Sequence, residues 1–125
     1  MKKRTGAQRS AGKRGNYVPD AGDLVWLSFS PQAGREQAGR RPGLILSPRI
    51  YNAKTGLCLV CPVTSQIKAY PFEVELPKGL TVQGVILSDH VKSADWQARR
   101  IEWIAHAPDK VVNHVRAKLK PLLGT

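Results

Sequence analysis

From residue 23 onward, apolar side chains gather in short runs broken by Gly and Pro, at 23–29, 43–47, 57–64, 72–76, 84–91 and 97–105. Runs of this length, bounded by turn residues, predict β-strands. The clearest is Phe72-Glu73-Val74-Glu75-Leu76, whose alternation puts Phe72, Val74 and Leu76 on one face and both glutamates in solvent. Five or six such strands predict a small, mainly β barrel. Residues 48–52 fit one short helical turn. A helical period returns at the end of the chain, where Pro108 suits a first helical turn and Val111, Val112, Val115 and Leu119 form one stripe, with Lys110, His114 and Lys118 away from it. This predicts a C-terminal helix that caps the barrel and stops or kinks at Pro121, which has no amide to donate.

Residues 1–16 interrupt this picture. They are rich in Lys, Arg, Gly and Ser and bury too little apolar surface to offset their ordering entropy, so they are expected to form a disordered basic arm ahead of one domain, 17–125. A chain of 125 residues has room for one core and not two. It carries 20 Lys and Arg against 9 Asp and Glu, a net charge of +11, which favours an anionic partner such as nucleic acid, a membrane surface or an acidic protein tail. The arm holds six of those bases and no acid, so 17–125 keeps 14 bases against 9 acids and is only moderately basic.

Composition narrows the chemistry further. No apolar run reaches the length of about 18 residues that a membrane span needs, and the basic N-terminus lacks the apolar stretch of a secretion signal, so a cytoplasmic location is expected. Cys58 and Cys61 make a Cys-x-x-Cys, but three steps along a strand reverse the side-chain face, so they are expected to stay unpaired. With no second Cys pair and His90, His106 and His114 scattered, no metal site is expected. Asp20 and Asp23 read as turn and strand-entry residues. Trp26 reads as core, and Trp96 as the better surface candidate for stacking on a base.

The most informative polar segment is Glu36-Gln37-Ala38-Gly39-Arg40-Arg41-Pro42, a loop between two apolar runs, because two adjacent guanidiniums offer forked donors to phosphate. With Tyr17-Val18-Pro19-Asp20-Ala21-Gly22-Asp23 before it and Leu46-Ser47-Pro48 after it, the segment resembles the MazF/PemK family of toxin endoribonucleases. The likeness runs on through Tyr51-Asn52, Lys54-Thr55-Gly56, Pro62-Val63-Thr64-Ser65-Gln66, Tyr70-Pro71-Phe72-Glu73-Val74 and Val91-Lys92-Ser93, in the family's order, and covers about 17–124. It implies an SH3-like barrel with short helices, assembled as a homodimer. It also implies metal-independent, cofactor-free cleavage of single-stranded RNA, above all mRNA, at a specific sequence, with translation arrested and an acidic cognate antitoxin as inhibitor. Alternatives are a non-catalytic RNA-binding barrel and a gyrase poison of the same fold.

RNA supplies its own nucleophile, since the 2′-hydroxyl attacks the neighbouring phosphorus and leaves a 2′,3′-cyclic phosphate and a 5′-hydroxyl. An enzyme then has to move two protons and stabilise one extra negative charge. Arg41 suits the charge, being forked and permanently protonated. The resemblance assigns catalysis to Arg41, in proton transfer as well as phosphate binding, and to Thr64, whose hydroxyl assists at the phosphate, and it adds Glu36, which matches a loop acid important for activity in one branch of the family. Arg40, Gln37, Gln66, Lys68, Asp89 and Lys92 complete the expected RNA-binding set. Asp89 falls where one branch of the family has a catalytic Asp, yet that branch's Arg two positions earlier is Leu87 here, which makes Asp89 a secondary residue. Arg40 stands where close relatives commonly carry His and has no proton to exchange near neutral pH. His90 reads as a loop or surface histidine rather than a replacement base.

Overall fold

A computed structural model describes residues 16–29 and 39–125. The expected basic arm, apart from Asn16, lies outside the described residues, as do Glu36 and Gln37. The described elements are β1 (Asp23–Ser28), β2 (Arg40–Ile45), α1 (Arg49–Thr55), β3 (Leu57–Thr64), β4 (Glu73–Glu75), β5 (Val85–Leu87), a 3-10 turn (Ser88–His90), β6 (Lys92–Asp95), β7 (Glu102–His106), α2 (Asp109–Leu119) and a closing 3-10 turn (Lys120–Leu123). All pairings are antiparallel, in the order β4-β5-β3-β2-β1-β7, with β6 also on β3.

The mainly β expectation holds with seven strands in place of five or six. The run at 84–91 yields only β5, because Ser88–His90 turns the chain, and β6 follows separately. Lys-Ser-Ala-Asp carries none of the β-branched residues that advertise a strand, so β6 exists through its pairing with Leu57, Cys58, Leu59 and Val60. The run expected at 97–105 begins instead as a turn. The Asp95 carboxylate accepts from Ala98 N at 3.0 Å, Arg100 adopts φ +58°, and β7 starts only at Glu102.

β3 organises the molecule. One edge pairs with β6 over Leu57–Val60 and then with β5 at Val63 and Thr64, while the other pairs with β2 through Val60, Cys61 and Pro62. Both faces of the sheet are covered. Leu24, Leu44, Cys61, Val63, Val74 and Ile86 pack under Val111, Val112, Val115 and Leu119 of α2, as the helical stripe predicts. Val25, Leu27, Ile45, Cys58 and Val60 form the second core with Tyr17, Ala94, Trp96 and Ile101. Cys58 and Cys61 therefore sit in different cores, both free, and burial pushes both thiols up to about 12.

The two tryptophan expectations are reversed. Trp26 is 38% exposed, because its strand neighbours Val25 and Leu27 take the buried face and alternation turns Trp26 outward. Trp96 is 7% exposed, and its Nε1 donates to Asn52 O at 3.0 Å. Asn52 is itself fully buried. Its Nδ2 donates to Pro19 O and Ser47 O, and its Oδ1 accepts from Ser47 Oγ at 2.6 Å, tying α1 to both the chain entry and the end of β2. This anchoring is why a full two-turn helix, ended at Gly56 with φ +76°, replaces the single expected turn. Asp23 is the other buried polar anchor, with Tyr17 OH and Asp20 N on Oδ2 and His106 Nδ1 at 3.2 Å from Oδ1.

Candidate active site

Arg41 and Thr64 come together at the end of the β2–β3 ladder, where both line the same clefts. The ladder pairs Ile45 with Val60, Leu44 with Cys61 and Gly43 with Pro62, and Arg41 and Thr64 lie two residues beyond that last pair, on β2 and β3 respectively. Arg41 is exposed, since Leu44 and Ile45 supply the buried end of β2 and its beginning reaches the barrel rim. Thr64 ends β3, paired with Val85. Its Oγ1 accepts from Gln66 N at 3.1 Å, which leaves the hydroxyl proton free to donate to a bound ligand. The Thr64 backbone is held just as closely. A Cβ on Gly84 would lie 2.2 Å from the Thr64 carbonyl oxygen, and Gly84 has φ +121°, so only glycine lets the two segments approach this far.

Two clefts open on either side of this pair. One, of about 520 Å³, is lined by Arg41, Thr64, Gln66, Lys68, Ala69, Tyr70, Pro71, Glu73, Leu87 and His90. The other, of about 560 Å³, is lined by Phe29, Arg41, Pro62, Thr64, Leu87, His90, Val91 and Lys92. Arg41, Thr64, Leu87 and His90 belong to both, so the two form one trough with the expected catalytic pair at its middle.

The ends of the trough have different chemistry. In the first, Glu73 Oε2 accepts from Lys68 N at 3.0 Å, which fixes the loop that carries Lys68, and Tyr70 OH donates to Asp89 Oδ2 at 2.7 Å. That bond to a carboxylate, the largest influence on it, raises the Tyr70 pKa and keeps its hydroxyl protonated. In the second, Lys92 Nζ lies 5.4 Å from the centroid of the Phe29 ring, a cation–π contact that holds the ammonium at the cleft mouth.

The structure thus brings Arg41, Thr64, Gln66, Lys68 and Lys92 to one trough and sets Asp89 at its rim, bonded to Tyr70. Arg40 is elsewhere. It pairs with Glu102 through Nη2 at 2.6 Å and lines neither cleft, because successive strand residues point to opposite faces. Sequence reasoning missed Tyr70, Phe29 and the central place of His90. No local pattern marks them, since His90 and Tyr70 reach the trough only when the chain around β5 closes against β3, and Phe29 only when the end of β1 meets the start of β2.

A family model described as PemK-like, MazF-like toxin of type II toxin-antitoxin system matches residues 20–123. The chain belongs to this family. It is 48% identical over 108 residues to the endoribonuclease toxin MazF of Escherichia coli K12, covering 86% of this chain and 96% of the relative. It is 33% identical to the endoribonuclease PemK of Escherichia coli, covering 83% and 81% respectively. Among solved structures, MazF from Deinococcus radiodurans superposes with a TM-score of 0.81 at 61% identity, covering 88% of this chain and all of that one. A MazE-MazF crystal structure from the same organism gives 0.79 at 55% identity, over 88% of this chain and 99% of that one. Fold and family expectations both hold, and the named activity of these MazF-like relatives is RNA cleavage rather than either alternative.

Proposed function

We propose that this MazF-like endoribonuclease toxin cuts single-stranded RNA at a specific short sequence through internal 2′-hydroxyl attack, without a metal ion, leaving a 2′,3′-cyclic phosphate and a 5′-hydroxyl and so inhibiting translation. The observation that carries this reading is the convergence of Arg41 and Thr64, from separate strands, on the middle of one trough made of two clefts open to solvent. An open trough suits a continuous strand. The Arg41 guanidinium forks onto the phosphate oxygens and meets the charge that grows in the transition state. The Thr64 hydroxyl, oriented by Gln66 N, donates beside it. Gln66 and Lys68 on one side and Lys92 on the other hold flanking nucleotides, with Asp89 acting through Tyr70. Glu36 and Gln37 would extend the same surface from the loop before β2.

The reading includes a partner and an assembly. An acidic antitoxin that lies over the trough would cover Arg41, Lys68 and Lys92 and block RNA entry, and the solved MazE-MazF complexes of a close relative support such a partner. A homodimer goes with the family and would bury part of a sheet that otherwise ends in the short strands β4 and β7. Among the described residues no helix is long and apolar enough to cross a membrane, and the site of action is taken to be the cytoplasm, where mRNA is translated.

Cleavage assays on Arg41→Ala and Thr64→Ala provide the test. Each should lose about a hundred- to thousandfold in rate, as expected for removal of one preorganised donor worth about 3–4 kcal/mol, with the fold intact. A substrate with 2′-deoxyribose at the cut position should bind and stay whole, and chelator should leave the normal substrate's cleavage unchanged. Wild-type rates in both variants, or cleavage of the deoxy substrate, would remove the mechanism.

A further inference from the structure

We infer that His90 is the general base of this reaction, taking the proton from the attacking 2′-hydroxyl, with Asp89 and Tyr70 as its positioning residues. The inference rests on the RNA-cleavage reading above and adds the proton acceptor that Arg41 and Thr64 do not supply. Of the four side chains common to both clefts, Leu87 has no ionisable group, Arg41 stays protonated, and the Thr64 hydroxyl is a donor with no basic site near neutral pH. His90 alone among the four carries an unshared nitrogen lone pair of the kind that serves as a general base.

Its surroundings are built for that role. His90 closes the 3-10 turn Ser88–His90, and Ser88 is buried, its N donating to Phe72 O at 3.1 Å, so the backbone that carries the imidazole is fixed. The imidazole itself is more than half exposed and free to meet substrate. Its Nε2 lies 3.9 Å from Asp89 Oδ1, a buried oxygen with no hydrogen-bond partner. Asp89 Oδ2 is already held by Tyr70 OH at 2.7 Å. A small rotation of the ring gives Oδ1 the donor it lacks, places the ring proton on Nε2 and leaves the Nδ1 lone pair for the trough. The other charged groups around it are Arg41 between the clefts, Lys68 and Glu73 at one end, and Lys92 at the other. Glu73 is the rival base, but it lines one cleft only and its carboxylate accepts from Lys68 N.

The step balances without a further reagent except water. The 2′-oxygen forms its bond to phosphorus as its proton passes to His90 Nδ1. The bond from phosphorus to the 5′-oxygen breaks with its electron pair on that oxygen, which takes a proton from water, and the imidazolium returns its proton to solvent. Arg41 holds the negative charge on the non-bridging oxygens throughout. A base has to start neutral, so the single-turnover rate should fall on the acidic side as His90 becomes protonated.

Single-turnover cleavage by wild type and His90→Gln, from about pH 5 to about pH 9, tests the assignment. The variant should lose about a hundredfold or more, lose the acidic limb of the profile, and bind the 2′-deoxy substrate as wild type does. Asp89→Asn and Tyr70→Phe should show smaller losses and a displaced limb. A substrate with sulfur in place of the 5′-oxygen needs no proton on its leaving group, and a base variant should remain slow on it. Rescue by the sulfur substrate would make His90 an acid instead, and a rate within about threefold of wild type with the limb retained would leave it without a role in proton transfer. Weakened binding of the deoxy substrate would make it a binding residue, and each of these results overturns the inference. If wild type yields cyclic phosphate while His90→Gln matches it, only the base assignment fails; if wild type yields no cyclic phosphate, the cleavage reading fails first.

Discussion

Gly84 carries no chemistry, yet it decides where Thr64 stands. Any Cβ there would collide with the Thr64 carbonyl at 2.2 Å and would also occupy a backbone conformation, φ +121°, that L side chains rarely adopt. Gly84→Ala should cost about 1–3 kcal/mol from backbone strain alone, and the folded fraction should cut RNA far more slowly, because relief of the clash displaces the hydroxyl from Arg41. Thermal unfolding and a cleavage assay on the same preparation separate the two effects. At this scale the sequence was only partly legible. The place of Arg41 in the trough was readable from charge and setting, that of Thr64 through family likeness alone, and that of His90 and Tyr70 through neither, since it depends on long-range closure of the chain around β5 on β3. Trp26 was assigned to the core because its strand was read as buried throughout, and Trp96 to the surface because it lies in a turn, where only the distant contact with Asn52 draws it inward.

At the scale of elements, local pattern succeeded where the strands are long or strongly alternating, in β1, β3 and β4, and where a helical stripe meets the core, in α2. It failed at the start of β7, where a turn closed on the Asp95 carboxylate takes residues expected to be extended, and for β6, whose extended form comes from its partner β3 and not from its own residues. The link from α1 to the barrel is of the second kind and runs through one side chain. Asn52→Ala would leave Pro19 O and Ser47 O buried without their donor, a loss of about 3 kcal/mol. Because α1 lies away from the trough, the surviving folded protein should cut at the normal rate. That outcome in denaturant melts and turnover assays would mark Asn52 as an anchor, in contrast to Gly84, which should affect both readings.

For the whole molecule, charge governs encounter more than fold. Much of the net +11 lies in the N-terminal segment, whereas the trough itself presents Arg41, Lys68 and Lys92. Each phosphate contact to single-stranded RNA contributes about −0.7 to the slope of log affinity against log salt, so three contacts predict a slope of about −2 for residues 16–125. Lys68→Ala and Lys92→Ala should each lower its magnitude by about 0.7, whatever the RNA sequence. Binding of the 2′-deoxy substrate over a salt series measures this directly, and an unchanged slope in both variants would place the strand elsewhere. The same series run with and without residues 1–15 isolates the contribution of that segment.

The trough with four shared residues at its centre and unlike ends also bears on how such a protein diversifies. Arg41 and Thr64 hang on ladder strands that the whole barrel needs, whereas Lys68 and Tyr70 on one side, and Phe29 on the other, belong to connecting segments outside the ladders. On the proposed reading, the pair that would hold the reacting phosphate and part of the surface that would meet flanking nucleotides are therefore separable in the chain. Exchange of residues 65–69 for the matching segment of a relative, with Tyr70 kept in place on Asp89, would change which nucleotides are accepted on one side of the cut, and leave both the other side and the reaction as they were.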